Sequence, residues 1–311
     1  MASYYTHYRS ALRAMAGLPS DTASCVNSRR EVFFAGGQGP DLLFYVFGKF
    51  RGYGSKVHAC ATYEQFFSLA ELCRKTGSED LLAYSLGYLT HYAVDRALHP
   101  YVIHTACSYL PRFFAEDLRP SLHMKLESAV DKILFLRDNG NGAKFRARDW
   151  LPYNDASRKA FCEATAEIAK IFGTQLPYDK LYAAQKRMSL YQSVFDSKLN
   201  PARLVVAGAG ALIGKPDYIY GFLTPPLDTG IDYMNAERRP YPSITDDASS
   251  PVLDLSVDAI LENAHKDALA LCAKFAAAAD GVAPLCPSDF EICFTGRRSV
   301  SPEEYVRRAW D

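Results

Sequence analysis

Six of the seven histidines in this 311-residue chain lie at positions 7, 58, 91, 99, 104 and 123, and only His265 lies beyond them. In His91-Tyr-Ala-Val-Asp95 an imidazole and a carboxylate stand four residues apart, and His99 follows after four more. On a helix each step of four drifts by only about 40°, so the three side chains share one stripe. His123-Met-Lys-Leu-Glu127 repeats the spacing further along. Imidazole nitrogen and carboxylate oxygen are good zinc ligands, and an i,i+4 pair lets one helix supply two bonds. Each pair also has an ordinary reading: the first as a His–Asp pair bonded to itself in the core, the second as a solvated ion pair. Two such pairs so close in sequence favour a shared metal, which would satisfy several buried polar groups at once. Asp41 ends the turn-rich segment Gly36-Gly-Gln-Gly-Pro-Asp41, whose glycines are either plain turn chemistry or a means of aiming the carboxylate inward. His7 and His58 carry little signal singly.

The elements that must position these groups read as helices. Periodicity and stop signals predict helices over Tyr63 to Arg74, with Thr62 as N-cap, and over Leu81 to His99, which Pro100 must end or kink. Another spans Leu122 to Arg137 before the turn cluster Asn139-Gly-Asn-Gly142, and more follow over Asp155 to Phe172, Tyr178 to Asn200, Ser256 to Ala279 and Pro302 to Ala309. The Leu81–His99 segment is apolar nearly all round. Leu82, Leu86, Leu89, Ala93 and Ala97 lie opposite the His/Asp stripe, and Tyr84, Tyr88, Val94 and Leu98 flank it. Such a helix is buried, so its polar stripe faces the interior or a cleft. Strand signals are scarce and no internal repeat is present. The expectation is an all-α helical bundle, one domain over 1–311. Residues 1–140 carry the metal-ligand motifs and 141–311 supply supporting helices, with an irregular loop at about 225–251 rich in Pro, Ser and Asp.

Composition narrows the classes. With 49% hydrophobic residues, 23% charged residues and 35 basic side chains against 35 acidic ones, the chain is neither disordered nor a binder of nucleic acid through bulk positive charge. The longest apolar run, Leu204 to Gly214, is 11 residues and too short to span a bilayer. Met1 to His7 holds no apolar stretch, so the expected location is cytoplasmic; a mature secreted form with its signal removed is the alternative. The cysteines at 25, 60, 73, 107, 162, 272, 286 and 293 form no CxxC pair and read as reduced, mostly buried thiols. Gly208-Ala-Gly210-Ala-Leu-Ile-Gly214 has the wrong spacing for a nucleotide loop, and no strand-helix-strand pattern surrounds it. His265 reads as a solvated or capping histidine, and no GxSxG elbow exists.

Taken in order, Tyr5-Thr-His7-Tyr, Gly39-Pro-Asp41, His58, Gly87-Tyr-Leu-Thr-His91-Tyr-Ala-Val-Asp95, His99-Pro-Tyr101 and His123-x-x-x-Glu127 resemble the bacterial zinc-dependent phospholipase C family, closest to its signal-less branch. The resemblance covers about residues 1–240 and weakens after 140, where Asp232-Tyr-Met-Asn235 looks like a recurrent late motif. It implies a helical bundle around two or three zinc ions, a fold shared with the zinc-dependent nucleases related to P1 nuclease. By that resemblance Asp41, His58, His91 and Asp95 hold one zinc, and His99, His123 and Glu127 a second. His7 joins a third, with Asp95 as the bridge. Secreted members complete the third site with an N-terminal Trp, whereas this chain begins Met1-Ala2. The resemblance also makes Asp41 the general base that orients the attacking water.

The implied activity is hydrolysis of a phosphodiester, foremost the glycerol–phosphate bond of a phospholipid, with transient contact at a membrane surface and no transmembrane segment. A nuclease is the first alternative, disfavoured by the neutral charge balance. A non-catalytic bundle stabilised by metal is the second. Phe44, Tyr45, Phe47, Phe50 and Tyr53 either line the cleft or, the reading their density favours, fill the core. His104 falls outside the ligand pattern and sits beside the ligands or on the surface.

Overall fold

The computed structural model describes residues 4–114, 121–144, 154–195, 227 and 230–308. Its helices are α1 (Tyr4–Gly17), α2 (Ser20–Ser28), α3 (Arg30–Gly37), α4 (Tyr53–Ala59), α5 (Thr62–Thr76), α6 (Glu79–Ser108), α7 (Leu122–Asn139), α8 (Asp155–Ile171), α9 (Tyr178–Phe195), α10 (Val257–Ala279) and α11 (Pro302–Arg308). A short 3-10 helix covers Gly39–Tyr45. The strands are two-residue pieces, β1 (Tyr241–Pro242) antiparallel to β2 (Val252–Leu253). The all-α expectation holds. The end of the predicted Tyr178–Asn200 helix, the Gly208–Gly214 segment and the start of the 225–251 loop lie outside the described residues.

The apolar 30-residue helix α6 is the axis of the bundle, and α3 and α10 make its broadest contacts. Ser78 caps it by accepting from the Leu81 N–H at 3.2 Å, with Glu79 and Asp80 in the first turn where negative charge suits the helix dipole. Where α3 crosses α6 the backbones touch. A Cβ on Gly36 would collide with the Tyr84 carbonyl, and one on Gly87 with the Phe33 carbonyl. Only glycine permits that approach.

Two apolar clusters fill the interior. One gathers Phe33, Phe66, Tyr88, Phe161 and Phe275, and the other Leu98, Val102, Leu126, Val130 and Ile260. Along α6 the first cluster ends at Ala93 and the second begins at Val94, the level at which His91 and Asp95 project. The thiols are all free, and Cys60, Cys73, Cys162, Cys272 and Cys293 are buried as expected, while Cys107 and Cys286 are exposed.

Two local expectations are corrected. Pro100 does not end the helix after His99, for α6 runs through it to Ser108. An interior proline costs about 3 kcal/mol, but burying Leu98, Tyr101 and Val102 returns about 1.5–3 kcal/mol per side chain. Tertiary burial wins. Thr62 does not cap α5: it lies inside the helix, and its hydroxyl and N–H meet the Ser299 hydroxyl.

Between residue 230 and the start of α10 the chain is irregular apart from β1 and β2, as its composition implies. In the late motif the Asp232 carboxylate accepts the N–H groups of Met234, Ala236 and Glu237 and pairs with Arg239 at 3.1 Å. Asn235, with a left-handed φ of 51°, donates to the carbonyls of Arg239 and Leu255. These bonds brace the loop internally, and the Tyr101 hydroxyl of α6 donates to the Tyr233 carbonyl at 3.0 Å.

Candidate metal centre

Five elements deliver eight chemically competent side chains to one place. Helix α1 supplies His7, the 3-10 helix Asp41, α4 His58, α6 His91, Asp95 and His99, and α7 His123 and Glu127. All are buried except His123, whose side chain is 32% exposed at the rim. Asp95 is the hub. Its Oδ2 lies 3.1 Å from His91 Nε2 and 3.9 Å from His58 Nε2, and its Oδ1 lies 3.3 Å from His7 Nε2 and 3.8 Å from His99 Nδ1. Asp41 Oδ1 stands 3.1 Å from His58 Nε2. At the far end Glu127 Oε1 meets His123 Nε2 at 3.1 Å and His99 Nε2 at 3.5 Å.

These contacts resolve into three groups whose ligand atoms lie within 4.8 Å of one another. They are His7, His91 and Asp95; Asp41, His58 and His91; and His99, His123 and Glu127. The His91 and His7 rings stack at 3.8 Å, and the His99 and His123 rings at 5.3 Å. Every sequence-predicted site residue is therefore brought together.

Backbone carbonyls set the histidine orientations. His58 Nδ1 faces the Gly54 carbonyl at 2.7 Å, His91 Nδ1 the Gly37 carbonyl at 3.3 Å, and His99 Nδ1 the Phe294 carbonyl at 2.6 Å. An Nδ1–H that donates to a carbonyl leaves Nε2 as the lone-pair nitrogen, the arrangement typical of metal-binding histidine. Those Nε2 atoms point at carboxylates, where lone pair meets lone pair unless a proton or cation lies between. His7 Nδ1 is buried with no hydrogen-bond partner, and His91 Nε2 faces only the Asp95 carboxylate at 3.1 Å. An orphaned buried group of this kind costs about 1–3 kcal/mol, which a bound cation would remove. The mixed nitrogen–oxygen donor set suits zinc.

His7 depends on a further anchor. The buried Asp131 carboxylate accepts the N–H groups of Tyr5 and Thr6 at 3.0 and 2.9 Å and the Thr6 hydroxyl at 2.5 Å, pinning the first turn of α1 to α7. Gly39, at φ 56°, lies against the His91 ring where a Cβ would strike it. The glycine before Pro40 and Asp41 is thus required by that close approach.

Electrostatics follow from the crowding. Burial pushes the Asp41 carboxyl up, while the His58 hydrogen bond and the charges of His91 and His58 are among the influences that bring it down to about 2. Asp95 and Glu127 are also held well below the usual range despite burial, by His91 and His99 and by His123 and His99 respectively. Burial pushes His7 down, whereas Asp95 and Glu127 lift His99 to about 9 against its burial.

These shifts fix the sign of the pH response. In the metal-free protein the His99 contribution is fully present below about pH 6.5 and is lost as pH rises toward about 9. The Asp41 contribution is present above about pH 4 and is lost as pH falls toward about 2. Zinc takes only the bare imidazole, so its binding displaces the His99 proton and strengthens over the upper interval. The zinc-induced rise in melting temperature should accordingly be larger near pH 8.5 than near pH 6.5. Equal rises at both values would show that His99 keeps its proton and binds no metal.

The second group gives a separate expectation. Glu127→Gln and His123→Ala should each lower zinc content and melting temperature, because buried ligands are left uncompensated. Full zinc and an unchanged melting temperature in both variants would make the pair a plain salt bridge.

The centre opens into a cleft of about 260 Å³ lined by Asp41, Phe44, Ser55, His58, Asp95, His99, Ile103, His123, Thr295, Arg297 and Tyr305. Of the five aromatic residues after Asp41, Phe44 lines this cleft and packs on His58 at 4.8 Å, while Tyr45 and Tyr53 are buried in the core. Phe47 is exposed and Phe50 packs on the core edge. His104 is no ligand and lies on a neighbouring groove. Sequence reasoning missed Thr295, Arg297 and Phe294. They come from a segment beyond α10 that no periodicity marks, and it reaches the site because Ala61 N–H bonds the Val300 carbonyl and Tyr92 bonds the Ile292 carbonyl.

The model of a family described as zinc dependent phospholipase C matches residues 6–176 of the chain. That interval contains all eight clustered side chains from His7 to Glu127. No curated protein and no solved structure matches the chain.

Proposed function

The chain belongs to the zinc-dependent phospholipase C family, and from that premise we propose that it hydrolyses the glycerol–phosphate bond of a phospholipid at a centre of two or three zinc ions. The observation that supports this most is the convergence of eight imidazole and carboxylate groups at one centre, with Nδ1 of His58, His91 and His99 facing backbone carbonyls. Asp41, His58, His91 and Asp95 would hold one ion and His99, His123 and Glu127 another, while His7 would hold a third with Asp95 between. Structural zinc sites close with four protein ligands, whereas shared carboxylates and an open cleft suit hydrolysis. When bound, zinc supplies Lewis acidity, lowering the pKa of water toward neutrality and offsetting the charge that builds on the phosphoryl oxygens.

The chain's own groups do the rest. Asp41 lines the cleft and accepts a hydrogen bond from the attacking water, orienting it toward phosphorus. Its low pKa makes orientation the larger part of that role, since proton abstraction is most effective near the working pH. Phe44 and Ile103 give the cleft apolar walls, and Arg297 adds a guanidinium to its lining. No helix among the described residues is long and apolar enough to cross a membrane, so the substrate would be met at a membrane surface or as a monomer.

The test joins a metal count to a substrate panel. Zinc-supplemented protein should carry at least two equivalents by elemental analysis and should cleave short-chain phosphatidylcholine in preference to single-stranded nucleic acid. Cleavage of nucleic acid alone would make it a nuclease. Cleavage of neither substrate by protein with full zinc would leave the metals a stabilising role only.

A further inference from the structure

Beside the metal cleft runs a second depression of about 430 Å³, between α6 and the loop that carries β1 and β2. Pro100, Ile103, Tyr241, Pro242, Ala248 and Val252 build most of its walls, and Val252 is 68% exposed. His104 and Cys107 also stand on its wall, and several of its other polar neighbours are already engaged. Asp246 pairs with Arg297, the Thr245 hydroxyl donates to the Thr295 carbonyl at 2.9 Å, and Asp247 accepts from the Ser249 hydroxyl at 2.5 Å. The groove therefore offers carbon surface and few free hydrogen-bonding groups, which selects an apolar occupant.

Groove and cleft adjoin. Ile103 lines both, and the partners of Asp246 and Thr245, Arg297 and Thr295, stand in the wall of the metal cleft. A ligand whose phosphate lay among the histidines would thus have carbon-lined space within reach on the α6 side. We infer that this groove binds the hydrocarbon portion of the phosphodiester substrate, with the phosphate held in the adjoining metal cleft. The inference rests on the phospholipase reading above and adds to it the place where the hydrocarbon chain lies. The groove walls at Pro242, Ala248 and Val252 lie outside residues 6–176, so the chain preference is built by this protein's own later segment.

The test reads binding apart from turnover. Zinc-loaded protein is titrated calorimetrically with monomeric alkylphosphocholines from butyl to decyl, and compared with Ala248→Trp, which fills the groove, and Val252→Asp, which charges its lip. Both positions are exposed, so both variants should fold. Complete burial of one methylene is worth about fourfold in affinity, and a half-open groove should return about twofold per methylene in the wild type. Ala248→Trp should flatten that dependence, and Val252→Asp should weaken it. Hydrolysis of a chainless phosphocholine ester should stay at the wild-type rate in both. An affinity independent of chain length in the wild type overturns the inference, and so does an unchanged chain dependence in Ala248→Trp. Failure of zinc-loaded wild type to cleave any diester would strike the proposed activity instead, because the alkyl titration is read without turnover.

Discussion

Asp41→Asn should retain the fold and, at saturating zinc, the metal content, while losing about 10²–10⁴-fold in phosphodiester turnover. The size of the loss follows from what the substitution removes. Asparagine keeps the shape and one oxygen acceptor, so the contact at 3.1 Å with His58 and the packing of the Gly39–Tyr45 turn survive. The negative charge goes, and with it the second carboxylate oxygen, the one that would accept from the attacking water. A ligand weakened at one metal would be restored by excess zinc, whereas a lost orienting group would not. Turnover measured across a zinc titration, with zinc counted in parallel, separates the two. A deficit that closes as zinc rises would make Asp41 a ligand alone.

Asp95→Asn should produce the largest loss of metal, at least one zinc equivalent per chain, together with a destabilisation of about 3–5 kcal/mol, the usual result of removing one partner from a buried charge cluster. No other side chain in the centre stands within 4 Å of four histidines. With its charge gone, His91 loses the contact that raises its pKa, and His99 loses the first of the charges that lift it to about 9. The upper arm of the pH response should then shrink as well. Urea denaturation with and without chelator, beside elemental analysis, checks both parts. Full zinc content in Asp95→Asn would refute Asp95 as the shared ligand, whatever the stability did.

The amino-acid sequence alone marked the side chains that the structure gathers at one centre. Spacing of four put His91, Asp95 and His99 on one stripe, and His123 and Glu127 on another, because helical periodicity is a local property that no distant contact need supply. The apolar surround of α6 likewise foretold burial. The helices α1 to α4 were not legible. Of these, α2, α3 and α4 span only nine, eight and seven residues, too few for a helical period to stand out, and are held by their contacts; α1 buries Tyr4, His7, Ala11 and Ala14 along one face over 14 residues and went unread. Pro100 misled for the same reason: a local stop signal was overruled by burial around Tyr101 and Val102.

Tertiary structure alone decided how the ligands combine. Which histidines face Asp95, and which carbonyl orients each ring, depend on groups up to 195 residues apart, as in the Phe294 carbonyl that fixes His99. It also placed Arg297 and Thr295 in the cleft and set an apolar groove beside it. Sequence periodicity records which face of a helix is buried, but the partner that buries it is chosen by packing across the whole bundle. The ligand residues could therefore be read in the sequence, while the shape of the site they serve could not.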